Sequence, residues 1–143
     1  MVGVDFSQAS DAAMGLVFGI AATTGTVVDL VHVLDGFTEA FVLGDRTLLD
    51  HVDATLALVG RELRARTVAA ASDGVRCVST SLVGAPGIEL TQHARRTGAD
   101  LLVLGLGVET RGPLGRAWSA DAAVQTLRTG NWHQRQVISS AGF

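Results

Sequence analysis

Four short clusters in this chain hold residue types suited to binding or proton transfer: Val4-Asp5-Phe6-Ser7, His32-Val33-Leu34-Asp35, Gly84-Ala85-Pro86 and Gly105-Leu106-Gly107. Asp5 offers a carboxylate that accepts hydrogen bonds, or caps and ties down the turn that follows it. His32 lies in an apolar run and reads as a core histidine satisfied within the fold, because no nucleophile or carboxylate can be tied to it as a catalytic partner. The four histidines, His32, His51, His93 and His133, are scattered and form no His-x-x-His or Glu-x-x-His pair, so a metal cluster is not expected. All eleven basic residues are arginine. Without lysine there is no Walker-type phosphate loop, no pyridoxal Schiff base and no lysine base. The absence of tyrosine removes phenolic acid–base chemistry. No nucleophile-elbow sequence supports a Ser-His-Asp triad.

The elements that must position these clusters follow from composition and period. The chain has 143 residues, 48% hydrophobic and 17% charged, with a net charge of −3. One domain, 1–143, with its own core is expected, and disorder is not. Neither a basic tail nor an arginine stripe is present to meet phosphates, so nucleic acid is not the expected partner. No segment is apolar for long enough to span a bilayer and no basic n-region opens the chain, so no membrane partner and a cytoplasmic location are expected. The single cysteine, Cys77, sits in an apolar-alternating run and reads as a small strand residue, buried or half-buried.

Short β-branched runs alternate with longer helical stretches, the pattern of βαβ units around a parallel sheet. Strands are expected at 1–5, 27–33, 76–83 and 101–104. A helix capped by Ser7 or Ser10 carries the stripe Ala12, Ala13, Leu16, Val17 and Ile20 and ends near Thr24-Gly25. A long helix over 47–71 repeats Leu49, Val52, Leu56, Val59 and Leu63, with Arg61, Glu62, Arg64 and Arg66 as a solvated face. A further helix covers 88–97, closed by Gly98. Residues 105–115 read as a glycine-rich loop, 119–129 as a helix and 136–139 as a short last strand. The stretch from Gly36 to Asp45 resists assignment. The fold class is therefore α/β: a single doubly wound open parallel sheet of about five strands, with helices on both faces.

In such sheets ligands sit beyond the carboxyl ends of the strands, where strand order reverses. The four opening clusters lie at those ends. In order and spacing, Val4-Asp5-Phe6-Ser7, Val31-His32-Val33-Leu34-Asp35, Val83-Gly84-Ala85-Pro86 and Ala99-Asp100-Leu101-Leu102-Val103-Leu104-Gly105 resemble the universal stress protein family, over residues 1 to about 128. The resemblance implies a pocket for an adenine nucleotide, AMP or ATP, with adenine held by Asp5 and the backbone beside Val33. It also implies a phosphate loop of Gly, two residues, Gly, nine residues, then Gly-Ser or Gly-Thr leading into a helix. Here that spacing runs from Gly105 to Val108 and on to Trp118-Ser119, so Gly105, Gly107 and Ser119 are the residues left to meet a phosphate. A two-residue insertion reaches Ala120-Asp121 instead.

Neither register leaves an intact cradle. A tryptophan blocks close approach, and an aspartate repels the phosphate. Two like charges ~4 Å apart at an effective dielectric of ~20 cost about 4 kcal/mol, roughly a thousandfold in affinity. Arg111 and Arg116 are able to contact an anion, but a solvated loop with two surface arginines accounts for them better. The expected function is a regulatory stress-response module acting through contacts with an unknown protein partner. The alternative is adenine-nucleotide binding, with AMP tolerated better than ATP. A weak ATPase comes last, because no base or metal ligand stands near the loop, and no enzyme is expected. The resemblance further implies a homodimer, paired through the region 131–139, where Trp132 would anchor the dimer or cover the sheet end.

Overall fold

A computed structural model describes residues 1–35, 44, 46–112 and 115–125. In chain order the elements are β1 (Val2–Gly3), α1 (Gln8–Thr24), β2 (Val28–Leu34), α2 (Arg46–Ser72), β3 (Cys77–Val83), α3 (Pro86–Thr97), β4 (Leu102–Gly112) and β5 (Gly115–Gln125). They form one five-stranded sheet in the order β3-β2-β1-β4-β5. The pairs β1–β2, β1–β4 and β2–β3 are parallel, while β4–β5 is antiparallel. The expected α/β class, a parallel sheet with helices around it, is the observed one.

Helix ends fall where local chemistry puts them. Ser7 is the N-cap of α1, its hydroxyl accepting from the Ser10 amide at 3.2 Å, and Gly25 closes that helix at φ 68°. Pro86 stands in the first turn of α3, Arg95 and Arg96 lie in its last turn, and Gly98 ends it at φ 66°. The sheet buries one apolar face against α1 and α2, around Val2, Leu30, Leu63 and Val103. Its other face packs on α3 through Val31, Leu90, Ala94 and Leu102. Five of these side chains, Val2, Leu30, Val31, Leu63 and Val103, rank among the largest that are fully buried. At ~25 cal/mol per Å² such burial is what opposes chain entropy.

Two helical readings shift. In α1 the buried residues are Ala9, Ser10, Ala13, Met14, Val17 and Ala21, whereas Leu16 and Ile20 are 45% and 40% exposed. The smaller residues face the sheet because the helix lies close against β4. The region 119–129, expected to be helical, is instead a strand up to Gln125, and the glycine-rich stretch from Gly105 is strand up to Gly112. The ladder from Leu102↔Gln125 to Gly112↔Gly115 supplies hydrogen bonds that an alanine-rich segment would otherwise find within a helix, and pairing overrides propensity. The last strand expected at 136–139, Trp132, the end of the expected helix beyond residue 125, and most of the unassigned stretch from Gly36 lie outside the described residues. Among the described residues, no helix is long and apolar enough to cross a membrane.

Candidate functional site

Strand order reverses between β1 and β4, so the crevice to inspect lies beyond their carboxyl ends. Asp5 follows β1 there. Its Oδ1 accepts from the Ser7 hydroxyl at 2.6 Å and the Ser7 amide at 3.0 Å. Ser7 in turn caps α1, and the Ser10 hydroxyl donates to the Ser7 carbonyl at 3.0 Å. Burial pushes the Asp5 carboxyl up, but the hydrogen bonds from Ser7, with a contribution from Ser10, outweigh it and hold the group below the usual carboxylate range. The carboxylate therefore does what a turn-and-cap residue does while its exposed side remains open to solvent.

Phe6 sits between Asp5 and the cap with φ 64°, and it is the one non-glycine residue with positive φ among those described. Its ring lies 5.0 Å from that of His32, centroid to centroid, and the Arg66 guanidinium stands 4.9 Å from the ring centre. Arg66 is positioned from α2 by Glu62, whose carboxylate accepts at 3.2 Å, and lies 3.8 Å from Asp11 of α1. Arg66 is thus part of the site's wall, not only of the solvated face expected for that stretch. The His32 Nδ1 donates to the Val4 carbonyl at 2.6 Å, so this histidine is half-buried and satisfied, as its apolar run suggests. Asp5, Phe6, Ser7 and Gln8 line a shallow depression of about 480 Å³, within the ~300–1,000 Å³ of small-ligand sites.

The left-handed backbone at Phe6 yields a sharp expectation. Glycine normally destabilises relative to alanine, but here alanine keeps the strain and glycine releases it. Phe6→Gly is expected to melt above Phe6→Ala, with a gap of about 1 kcal/mol. Urea denaturation of the two variants measures it, and the reverse order would deny that the strain is real.

Val33 belongs to β2, and its side chain packs against the α3-side core. The Val4 amide donates to the Val31 carbonyl at 2.8 Å, so alternate residues of β2 turn their backbone groups toward β1. Val33, two residues on, turns its own toward the space beyond the end of β1. Asp5 and Val33 therefore come to neighbouring strand ends. Gly105 does not offer open space: an added Cβ would stand 2.2 Å from the backbone carbon and oxygen of Ala9 and 2.4 Å from the Ser10 nitrogen. Its lack of a side chain lets the first turn of α1 approach β4. Gly107 pairs with Ala120, Ser119 with Val108, and Trp118 with Glu109, so Gly107 and Ser119 lie at adjacent rungs of one hairpin. Ser119 opens no helix.

Sequence reasoning passed over two features. One is the Phe6–Arg66 contact, which needs a helix brought to a turn sixty residues earlier. The other is a buried network in which Asp29 of β2 meets His93 of α3, with Oδ2 2.7 Å from Nε2. The spacing of His93 and Arg96, three apart on a helix, is its only local signal. Cys77 is half-buried, and desolvation pushes its thiol up to about 11, helped by the nearby Asp29 charge, so at neutral pH it is a protonated thiol and not a nucleophile. Among the described residues, no group of three or more histidine, cysteine or acidic side chains is placed to hold a metal ion.

The Universal stress protein family model matches residues 1–130. Among solved structures, the chain is similar to universal stress protein UspA from Lactobacillus plantarum, at 24% identity and a TM-score of 0.63 over 78% of this chain and 79% of that one. A protein from the universal stress protein family of Burkholderia pseudomallei matches at 28% identity and TM-score 0.55, over 73% and 79%. The hypothetical protein MJ0577, subject of a structure-based assignment of biochemical function, matches at 18% identity and TM-score 0.60, over 71% and 70%. Among curated proteins none matches significantly.

Proposed function

The chain belongs to the universal stress protein family, and from that premise we propose that it is a stress-response module acting through protein contacts, its phosphate loop altered away from nucleotide use. The observation that carries this reading is the state of Gly105. In a phosphate cradle a glycine leaves room for an anion to reach backbone N–H groups. Here the room beside Gly105 is taken by the backbone of Ala9 and Ser10. Ser119, which would have opened a helix toward the phosphates, is paired in a strand with Val108. No helix N-terminus then adds its partial positive charge at that point. On this reading the protein is no enzyme, works in the cytoplasm and forms a homodimer.

A second reading keeps an adenine nucleotide, AMP before ATP. What favours it is the neighbouring placement of the Asp5 carboxylate and the Val33 backbone beyond the end of β1, beside the depression lined by Asp5 to Gln8. Calorimetric titration with ATP, AMP and cyclic AMP separates the two. The expected result is no ATP binding in the micromolar range. Micromolar ATP binding that Asp5→Ala abolishes would overturn the first reading, and silence from every adenylate would overturn the second.

A further inference from the structure

The Asp29–His93 pair lies toward the amino end of the sheet, away from the depression lined by Asp5 to Gln8, and neither reading of the function uses it. His93 is the one buried histidine among the described residues, 6% exposed, and its ring is engaged at both nitrogens. Nε2 stands 2.7 Å from Oδ2 of Asp29, and Nδ1 stands 2.8 Å from Nη2 of Arg96, one turn further along α3. A guanidinium only donates and keeps its charge in proteins, so the second contact exists only while Nδ1 is unprotonated. The two neighbours therefore pull in opposite directions. The Asp29 carboxylate favours a charged imidazole, whereas the Arg96 cation and its hydrogen bond favour a neutral one.

We propose that these three residues form a proton-operated latch: a proton taken up at Nδ1 of His93 expels the Arg96 guanidinium into solvent, and loss of that proton draws it back. Solvent supplies the proton, an N–H bond forms at Nδ1, and the Arg96 N–H···Nδ1 hydrogen bond breaks. No bond between heavy atoms changes. Imidazolium and guanidinium are both cations and both donors, so they cannot keep the contact they share in the neutral state. Asp29 meanwhile holds the charged ring more firmly than the neutral one, because its hydrogen bond becomes one between opposite charges. Proton uptake thus tightens one contact of the ring and ejects the other.

The surroundings let the arginine move alone. The Gly98 amide donates to the Ala94 and Arg95 carbonyls, the Ala99 amide to the Ala94 carbonyl at 2.9 Å, and the Thr97 hydroxyl to the His93 carbonyl at 2.9 Å. The end of α3 is therefore closed without the Arg96 side chain. Arg96 is an exposed residue in the last turn of a helix, where a free cation is favoured. The other charged and titratable groups nearby act on Asp29 or stand apart from the ring. The Cys77 thiol of β3 and the Met1 amino group interact with Asp29, and Asp100 interacts with Met1. Within α3, Arg95 shares the last turn, and Glu89 lies beside Gly84 at the other end of the helix. The second Asp29 oxygen accepts from the Thr80 hydroxyl at 3.2 Å, so the carboxylate stays anchored to β3 in either state of the latch.

Nitrogen-15 NMR of the histidine rings in the whole chain tests this over roughly pH 5 to 8, where imidazoles change charge, with His93→Gln used to assign the ring. At the alkaline end the proton is expected on Nε2. As Nδ1 gains its own proton, the Arg96 guanidinium signals are expected to become those of a freely rotating, solvated arginine, with far-ultraviolet circular dichroism unchanged. In Arg96→Met, which keeps much of the stem and drops the cation, His93 is expected to hold its added proton about 10-fold more tightly. The tautomer and the Arg96 signals are read on wild type, so a variant that misfolds does not remove the test. A proton on Nδ1 in place of Nε2 at the alkaline end overturns the latch. So do Arg96 signals indifferent to the transition, or an equal proton affinity in Arg96→Met. Helix lost in step with the transition overturns it too, because the proton would then be opening α3 and not moving one side chain.

Discussion

Gly105→Ala is expected to cost about 3 kcal/mol of folding stability, the upper end of what an inserted methyl does in a packed interior. The reason is the nature of the obstruction. A Cβ at this position would meet the Ala9 carbon and oxygen at 2.2 Å and the Ser10 nitrogen at 2.4 Å, all of them backbone. No rotamer change relieves a clash with main chain, so the first turn of α1 must move off β4. Moving it pulls on the Ser7 cap and on the Asp5 hydrogen bonds that fix the cap. For a domain of this size that is a fall in Tm of roughly 10 °C. Gly60→Ala is the matched control. Gly60 lies inside α2 with nothing within 4 Å of an added Cβ, so alanine there is expected to gain up to about 1 kcal/mol from helix propensity. Thermal melts of the two variants should move in opposite directions. A Gly105→Ala protein as stable as wild type would mean that the α1–β4 approach is looser than described, and would reopen Gly105 to a ligand.

That approach also explains what was legible in the sequence and what was not. Helix caps at Ser7, Gly25 and Gly98 and the strands at β2 and β3 are written in local chemistry, since each depends on residues within a turn or a period of two. The four strand-end motifs in register identified the family. Which side of α1 is buried depends on how near β4 lies, and that distance is set by Gly105, more than eighty residues away. Of the expected stripe, Ala13 and Val17 are therefore buried, while the larger Leu16 and Ile20 lie exposed beside them. The same holds for β5. Ala117, Ala120, Ala122 and Ala123 have helical propensity, but their ladder partners, from Leu104 to Thr110, lie on another strand and leave no periodic trace in the segment itself. At the candidate site the strand-end motifs account for Asp5 and Val33 standing at neighbouring strand ends, whereas nothing local marks Phe6, which only a backbone angle, φ 64°, distinguishes.

Asp29→Leu is expected to be the other strongly destabilising single change, by about 2–3 kcal/mol, and its partner residue makes the test a cycle. Asp29 and His93 side chains are 18% and 7% exposed. The Arg96 Nη2 lies 2.8 Å from the His93 Nδ1. A guanidinium only donates, so Nδ1 is the accepting nitrogen and Nε2 carries the proton it gives to Asp29. The Thr80 hydroxyl donates to the other Asp29 oxygen at 3.2 Å. The network thus ties α3 to β2 and β3, and no buried side-chain N or O among the described residues lacks a partner. Removing Asp29 alone leaves the His93 Nε2–H buried with no acceptor, and removing His93 alone leaves the Asp29 carboxylate with only Thr80. The double variant Asp29→Leu, His93→Leu strands neither group and is expected to recover much of the loss, as apolar replacement of buried polar pairs does elsewhere. The coupling energy from urea denaturation of the four proteins should be about 1–3 kcal/mol. Additive losses would show that the two side chains do not depend on each other. In that case the anchor of α3 would be its apolar contacts through Leu90 and Ala94 alone.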